Sequence, residues 1–114
     1  MEGDLHHPCG FHIGLSLDNR KIIGYILSLL VIGELQINNV AIHPQFRKRG
    51  LATLLVKHLL EQAKQKESSR AFLEVKVSNT AAIKTYERCG FSIDGKRKGY
   101  YQDGEDALLM SRTL

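Results

Sequence analysis

Apolar residues recur along this chain in two rhythms. Phe11, Ile13, Leu15 and Leu17 fall on every second position, the period of a strand with one covered face. Asp18-Asn19 then supplies a turn. From Lys21 to Ile32 the apolar content is nearly continuous, which predicts a longer strand buried on both faces. Gly33-Glu34 turns the chain, and Leu35 to Ile42 reads as a third strand. Short turns join the three, so an antiparallel meander is expected. The rhythm then changes. Leu51, Leu55 and Leu59 share one helical stripe, with Leu54 and Ala63 beside it, and predict a helix from about Arg49 to Lys66. Phe72 to Val77 is rich in β-branched and aromatic residues and returns to strand. A strand after a helix after a strand should pair parallel with Leu35–Ile42 through a right-handed crossover. Ser78 or Asn79 caps a second helix, Thr80 to Cys89, and Gly90 closes it. Phe91–Lys96 and Asp106–Arg112 are the last two strands, joined by a loop containing Gln102-Asp103-Gly104-Glu105. The expected fold class is α+β, a mixed and mostly antiparallel sheet with helices on both faces.

Composition narrows the setting. A chain of 114 residues makes one domain with a modest core. Its 43% apolar and 25% charged residues are those of a soluble globular protein. The net charge of +4 suits an anionic small ligand and does not argue for nucleic acid. Two cysteines, Cys9 and Cys89, have no paired spacing, so neither a disulfide framework nor a metal site is expected. A reducing cytoplasm is the expected location. Residues 1–10, with His6, His7 and Pro8, read as a poorly ordered solvated arm, leaving 11–114 as the domain. No signal peptide is visible at the start. The run Ile22–Ile32 is too short to span a bilayer and is interrupted by Gly24 and Ser28, so no membrane contact is expected.

The chain is organised around Val40 to Leu60. The strand ending at Ile42 meets Pro44, then Arg47, Lys48, Arg49 and Gly50, then the helical series. The first turn of a helix carries N–H groups without internal partners and a partial positive charge. Gly50 lets a ligand approach the backbone, and Ala52 keeps the next close position small. Such a loop can cradle a polyphosphate. A solvated surface loop would have the same residues, so the motif alone decides nothing.

Two further residues stand out. Alternation puts Phe72, Glu74 and Lys76 on one face of their strand and Leu73, Val75 and Val77 on the other. A carboxylate between apolar neighbours there is either a salt-bridged surface group or a general base with a pKa raised by partial burial. Tyr86 shares the sheet-facing stripe of its helix with Ala82, Ile83 and Cys89. It is either a core tyrosine with one hydrogen bond or a proton donor to a thiolate leaving group.

The wider pattern is specific. Arg47-x-x-Gly50-x-Ala52 resembles the Q/R-x-x-G-x-G/A signature of the GNAT family of N-acetyltransferases. Leu73-Glu74-Val75, Ser78-Asn79-x-Ala81-Ala82-Ile83 and Tyr86-Glu87-x-x-Gly90-Phe91 look like the branch that acetylates protein amino termini. The tail, Tyr100-Tyr101-x-Asp103-Gly104-Glu105-Asp106-Ala107-x-x-Met110, is similar to that branch's carboxyl-terminal signature. The blocks stand in family order and span Gly10 to Thr113. This resemblance implies acetyl-CoA as donor and a protein or peptide amino terminus as acceptor. It implies that Val40, Ala41 and Ile42 bind the acetyl and pantetheine portion through the backbone. Arg47, Lys48, Arg49, Gly50, Leu51, Ala52 and Thr53 would hold the pyrophosphate, and Asn79 would touch the pantetheine arm. Glu74 resembles the family's proton acceptor and Tyr86 its proton donor. Tyr100 and Tyr101 would line the acceptor site.

The bottom-up chemistry agrees. An α-amine is largely protonated at neutral pH, so a base must take its proton before it attacks a thioester. Strand amides freed by a bulge, or by divergence from the Phe72–Val77 strand, could polarise the carbonyl. Neither a metal nor a covalent intermediate is required.

The family normally has a strand and two helices before the Phe11–Leu17 strand, and here about ten residues precede it. An amino-terminally shortened sheet exposes an edge and an apolar face, with Leu15, Leu17, Ile26 and Leu30 as candidates, and a homodimer is expected to cover it. Three other readings stay open: a lysine or small-amine acetyltransferase, a non-catalytic acyl-CoA-binding module, and a nucleic-acid binder using Arg47–Arg49 and Lys96–Lys98. The last lacks interleaved aromatic platforms.

Overall fold

Strand follows strand until residue 42, and helices then alternate with strands, as the change of rhythm requires. In the computed structural model, which describes residues 10–17 and 21–114, the elements are β1 (Ile13–Leu17), β2 (Lys21–Val31), β3 (Glu34–Ile42), α1 (Leu51–Gln65), β4 (Arg70–Lys76), α2 (Thr80–Arg88), β5 (Ser92–Arg97) and β6 (Ala107–Thr113). Residues 1–9 of the expected amino-terminal arm, the Asp18-Asn19 turn and the side chain of Leu17 lie outside the described residues, while the arm's last residue, Gly10, forms an antiparallel bridge with Leu29.

One six-stranded sheet has the order β1-β2-β3-β4-β6-β5. β3 and β4 pair parallel, and every other neighbouring pair is antiparallel. The expected meander and the parallel crossover are both present. β6 inserts between β4 and β5, leaving β5 at the edge.

Helices were expected on both faces. Both described helices instead share one face and one core. Leu55, Val56, Leu59, Leu60 and Ala63 of α1 and Tyr86 of α2 bury with Ile26, Leu35, Ile37, Leu73 and Met110 in a single cluster. The reason lies in the topology. The crossovers β3–α1–β4 and β4–α2–β5 advance across the sheet in the same direction. Two crossovers of one hand moving the same way must put their helices on the same side.

That asymmetry corrects three further expectations. β2 is not buried on both faces: Ile26 and Ser28 are fully buried beneath α1, while Tyr25, Leu27 and Leu29 are only half-buried. Leu15, Ile26 and Leu30 belong to or pack on the helix-side core, so they do not form an uncovered patch. Leu54 is 56% exposed, because the buried stripe runs through Val56 and Leu60 and leaves it on nearly the opposite side of the helix. Each fully buried Leu or Val of that stripe contributes on the order of 1.5–3 kcal/mol.

Alternation on β4 came out as read. Ala71, Leu73 and Val75 are buried toward the helices, and Phe72, Glu74 and Lys76 are half-buried on the other face.

Candidate active site

The parallel ladder between β3 and β4 runs from Glu34–Arg70 to Ile37–Leu73 and stops. β4 continues along β6 to the pair Lys76–Ala107. β3 continues along β2 to Ile42, but with an irregularity: Leu27 pairs with Asn39 and Ser28 with Ile37, so Asn38 is an inserted residue. A bulge bends its strand and increases local twist. Here it turns β3 away from β4. The two devices that sequence reasoning offered as alternatives for free strand amides, a bulge and a divergence, occur together at the same level of the sheet.

The parted strands open a cleft of about 870 Å³. Its walls include the β3 segment Asn38–Ile42, the loop before α1, the β4 segment Glu74–Lys76, and one side of α2 with Asn79 at its start. Of the residues singled out from sequence, Val40, Ala41, Ile42, Arg47, Lys48, Gly50, Leu51, Ala52, Thr53, Glu74, Asn79, Tyr86 and Tyr101 line it. Arg49 and Tyr100 do not. Arg49 turns aside and stacks its guanidinium 5.4 Å from the centroid of the Phe46 ring.

The loop before α1 is a concave run of backbone. Lys48 and Gly50 both have positive φ, 64° and 75°. Gly50 is the N-cap and offers no side-chain cap, so the first-turn N–H groups of α1 face the cleft without a protein acceptor. A Cβ at Gly50 would meet no atom within 4 Å. The glycine is therefore set by its backbone conformation, not by crowding. Arg47 Nε donates to the Ile42 carbonyl at 3.1 Å and ties the loop to the end of β3.

Asn79 is the N-cap of α2. Its side-chain oxygen accepts from the Ala82 N–H at 3.2 Å. The carboxamide N–H donors take no part in that bond and remain for the cleft.

Glu74 comes from the face opposite the helices. Its Oε1 accepts a long hydrogen bond, 3.4 Å, from the Tyr100 hydroxyl. Its Oε2 is buried and has no hydrogen-bond partner. Arg97 Nη1 lies 3.7 Å from that oxygen, close enough for an ion pair and too far for a hydrogen bond. A buried acceptor in that condition calls for a donor. Tyr86 comes from the helix side, with its ring edge-on to Phe91 at 5.9 Å. Burial, then the electrostatic influence of Cys89 and Tyr101, pushes its phenol up to about 12. It keeps its proton throughout the neutral range.

Tyr101 stands between the two. Burial, then the nearby Glu74 carboxylate, raises its phenol above the usual value. Its ring is edge-on to Tyr100 at 5.1 Å. Lys76 Nζ lies 5.2 Å from its centroid and bonds Asp103 Oδ2 at 2.7 Å. That bond holds the Lys76 ammonium above its ordinary pKa and the Asp103 carboxyl below its own. Arg97 in turn stacks 5.0 Å from the Tyr100 centroid. The β5–β6 loop is thus a ladder of rings and cations whose lower edge meets Glu74.

Sequence reasoning passed over Asn38, Asn39, Phe46, Lys76, Lys84 and Arg88, which also line the cleft. Lys84 and Arg88 carried a signal, the four-residue spacing that puts them on one helix face with Ala81 and Thr85. Arg97 carried none, because it approaches Glu74 from β5, across the intervening β6.

A family model described as the acetyltransferase (GNAT) family matches residues 2–91. A putative ribosomal protein bS18-alanine N-acetyltransferase of Bacillus subtilis is 37% identical over 96% of this chain and 73% of its own length. An N-alpha-acetyltransferase of Saccharolobus solfataricus is 31% identical over 92% of this chain and 71% of its own. The crystal structure of the ribosomal-protein alanine N-acetyltransferase from Escherichia coli superposes with a TM-score of 0.88 at 30% identity, covering 96% of this chain and 72% of that one.

Proposed function

The chain belongs to the acetyltransferase (GNAT) family, and from that premise we propose that it moves the acetyl group of acetyl-CoA to the N-terminal α-amine of a protein or peptide. The observation that carries the reading is a buried carboxylate oxygen without a hydrogen-bond partner, Glu74 Oε2, at the opening between β3 and β4. The relatives named for acetylating an alanine of a ribosomal protein and for N-alpha-acetylation support the choice of acceptor.

The donor's pyrophosphate sits on the amides from Lys48 to Thr53, beside Arg47. Its pantetheine arm runs in the opening, taking the place of the missing ladder along Val40–Ile42, with Asn79 on the other side. The thioester carbonyl points at a β3 amide, which stabilises the developing oxyanion. The acceptor enters from the face that carries Glu74, between Tyr101 and the strand edge. Its ammonium supplies the donor that Oε2 lacks, and Glu74 takes the proton. The free amine attacks the carbonyl carbon, the nitrogen of the tetrahedral intermediate gives its second proton to water, and the intermediate collapses to the amide as the C–S bond breaks.

Tyr86 acts on the sulfur. A phenol near 12 cannot simply hand its proton to a thiolate whose own pKa is about 8.5, since that transfer is uphill by roughly 5 kcal/mol. Its contribution is a hydrogen bond that strengthens as charge builds on sulfur. The thiolate then takes its proton from water. Most of the remaining catalysis is positioning of two substrates delivered from opposite faces of one sheet.

Acetyl-CoA turnover against short peptides of varied first residue, with free lysine and polyamines as controls, tests the reading. Unblocked peptides should be acetylated and the same peptides with blocked amino termini should not. Acetylation confined to lysine side chains or polyamines would overturn it.

A further inference from the structure

We propose that Arg97 makes the acceptor site select peptides whose first residue, aspartate or glutamate, carries a carboxylate beside the α-amine. The inference rests on the amine-acetylation reading above and names the class of acceptor it takes. Glu74 is approached by the β5–β6 hairpin at both oxygens: the Tyr100 hydroxyl donates to Oε1 at 3.4 Å, and Arg97 Nη1 stands 3.7 Å from Oε2. The Arg97 guanidinium also stacks 5.0 Å from the centroid of the Tyr100 ring. The three side chains therefore close a triangle, and the cation has a fixed seat beside the base. The Arg97 side chain is 57% exposed, so a peptide arriving on this face can reach it.

An acceptor ammonium changes the charge balance of that triangle. Hydrogen-bonded to Oε2 at about 2.8 Å, its nitrogen lies no further than about 6.5 Å from Nη1, the two distances laid end to end. Two cations then share one carboxylate, well inside the range at which salt screens them. The carboxylates of the β5–β6 loop are already engaged. Asp103 accepts from Lys76 and from the Glu105 N–H, Glu105 from the Ser78 N–H, and Asp106 from the Gly99 N–H. When Glu74 takes the proton its charge is neutralised, and Arg97 loses its partner. A peptide that begins with Asp or Glu meets both conditions. Its carboxylate is only a few bonds from its amine and comes within reach of the guanidinium once the amine is on Oε2. Opposite charges then alternate through Glu74, the amine, the peptide carboxylate and Arg97. The planar guanidinium can hold that carboxylate through two N–H groups. A neutral first residue brings no such partner, and its ammonium bears the repulsion of Arg97.

Steady-state kinetics test the assignment, with acetyl-CoA as donor and carboxyl-amidated peptides of one sequence that begin with Asp, Asn, Glu or Gln. In the wild type kcat/KM should be about 3- to 5-fold higher for Asp than for Asn and for Glu than for Gln, the scale of a partly exposed ion pair. The preference should shrink as salt is raised. Arg97→Gln should move the two classes in opposite directions, lowering kcat/KM for the acidic peptides and raising it for the neutral ones. A role in holding the hairpin together would lower both. Arg97→Lys, which keeps the charge and loses the fork, should keep part of the preference. Equal kcat/KM for Asp and Asn peptides in the wild type, a preference that survives Arg97→Gln, or parallel losses in that variant would overturn the assignment and leave the acetyltransferase reading in place. Acetylation of none of the peptides would remove both.

Discussion

Ile37 on β3 pairs with Leu73 on β4, and that pair is the last between the two parallel strands. The next residue of β3, Asn38, is the insertion that bends the strand against β2. Deleting Asn38 would let β3 pair regularly with β2 and would remove the bend that keeps it from β4. The flanking pairs Leu27–Asn39 and Ser28–Ile37 keep their partners, so the protein should still fold. Acetyl-CoA affinity should drop by about 10-fold or more as the opening narrows. Calorimetry on the deletion variant gives the answer, and unaltered binding would mean that the divergence does not depend on the bulge.

At Gly50 two causes can be separated. Its φ of 75° strains most residues with a Cβ, Asn least and β-branched residues most, but a Cβ there meets no atom within 4 Å. Gly50→Asn, which tolerates that conformation, should cost little stability. Gly50→Val should cost about 1–2 kcal/mol or more. Both put atoms where the pyrophosphate would lie, so both should weaken acetyl-CoA binding. Thermal unfolding and titration on the pair distinguish strain from obstruction; full affinity in Gly50→Asn would move the phosphate site elsewhere.

Glu74→Gln keeps the shape of the side chain and removes the base. Its kcat should fall roughly 10²-fold or more, with acetyl-CoA affinity little changed. Tyr100→Phe removes only the long bond to Oε1 and should cost less in kcat than Glu74→Gln. Steady-state kinetics on one peptide compare them, and a fully active Glu74→Gln would show that the amine loses its proton to another group.

Tyr86 makes an alkaline prediction. Its phenol titrates near 10.0 when unfolded and near 12 in the fold, because burial disfavours the anion. Below pH 10 both states are protonated and this group gives stability no pH dependence. Above pH 10 the unfolded chain loses its proton first, so stability falls as pH rises and levels off past 12. The difference amounts to roughly 2.7 kcal/mol. Tyr86→Phe should remove that part of the alkaline decline, read from urea unfolding at pH 9 to 11. It should also lower kcat by about 10-fold, the scale of one hydrogen bond to a charged atom.

The β5–β6 loop gives a final measurable claim. Asp103→Asn breaks the exposed bond to Lys76 and frees the cation beneath Tyr101. Peptide KM should rise by several-fold while acetyl-CoA affinity stays unchanged. A variant with normal peptide KM would separate this loop from acceptor binding.

The amino-acid sequence by itself determined every strand and α-helix among the described residues to within two residues at each end. It did so because each has a local period or a local cap: alternation on β4 put Glu74 opposite Leu73 and Val75, and Asn79 caps α2 through an atom three residues from its partner. The phosphate loop was readable for the same reason, since Lys48, Gly50 and the first turn of α1 are neighbours in the chain. What only the tertiary structure decided is non-local. Which strand lies beside β4 depends on pairing across the sheet between Leu73 and Met110, far apart in sequence. That choice sends β4–α2–β5 the same way across the sheet as β3–α1–β4, and so puts both helices on one face. The end of the ladder at Ile37–Leu73 and the meeting of Glu74 with Tyr100 and Arg97 follow from the packed sheet, where the energies that fix them are shared between segments that no local pattern links.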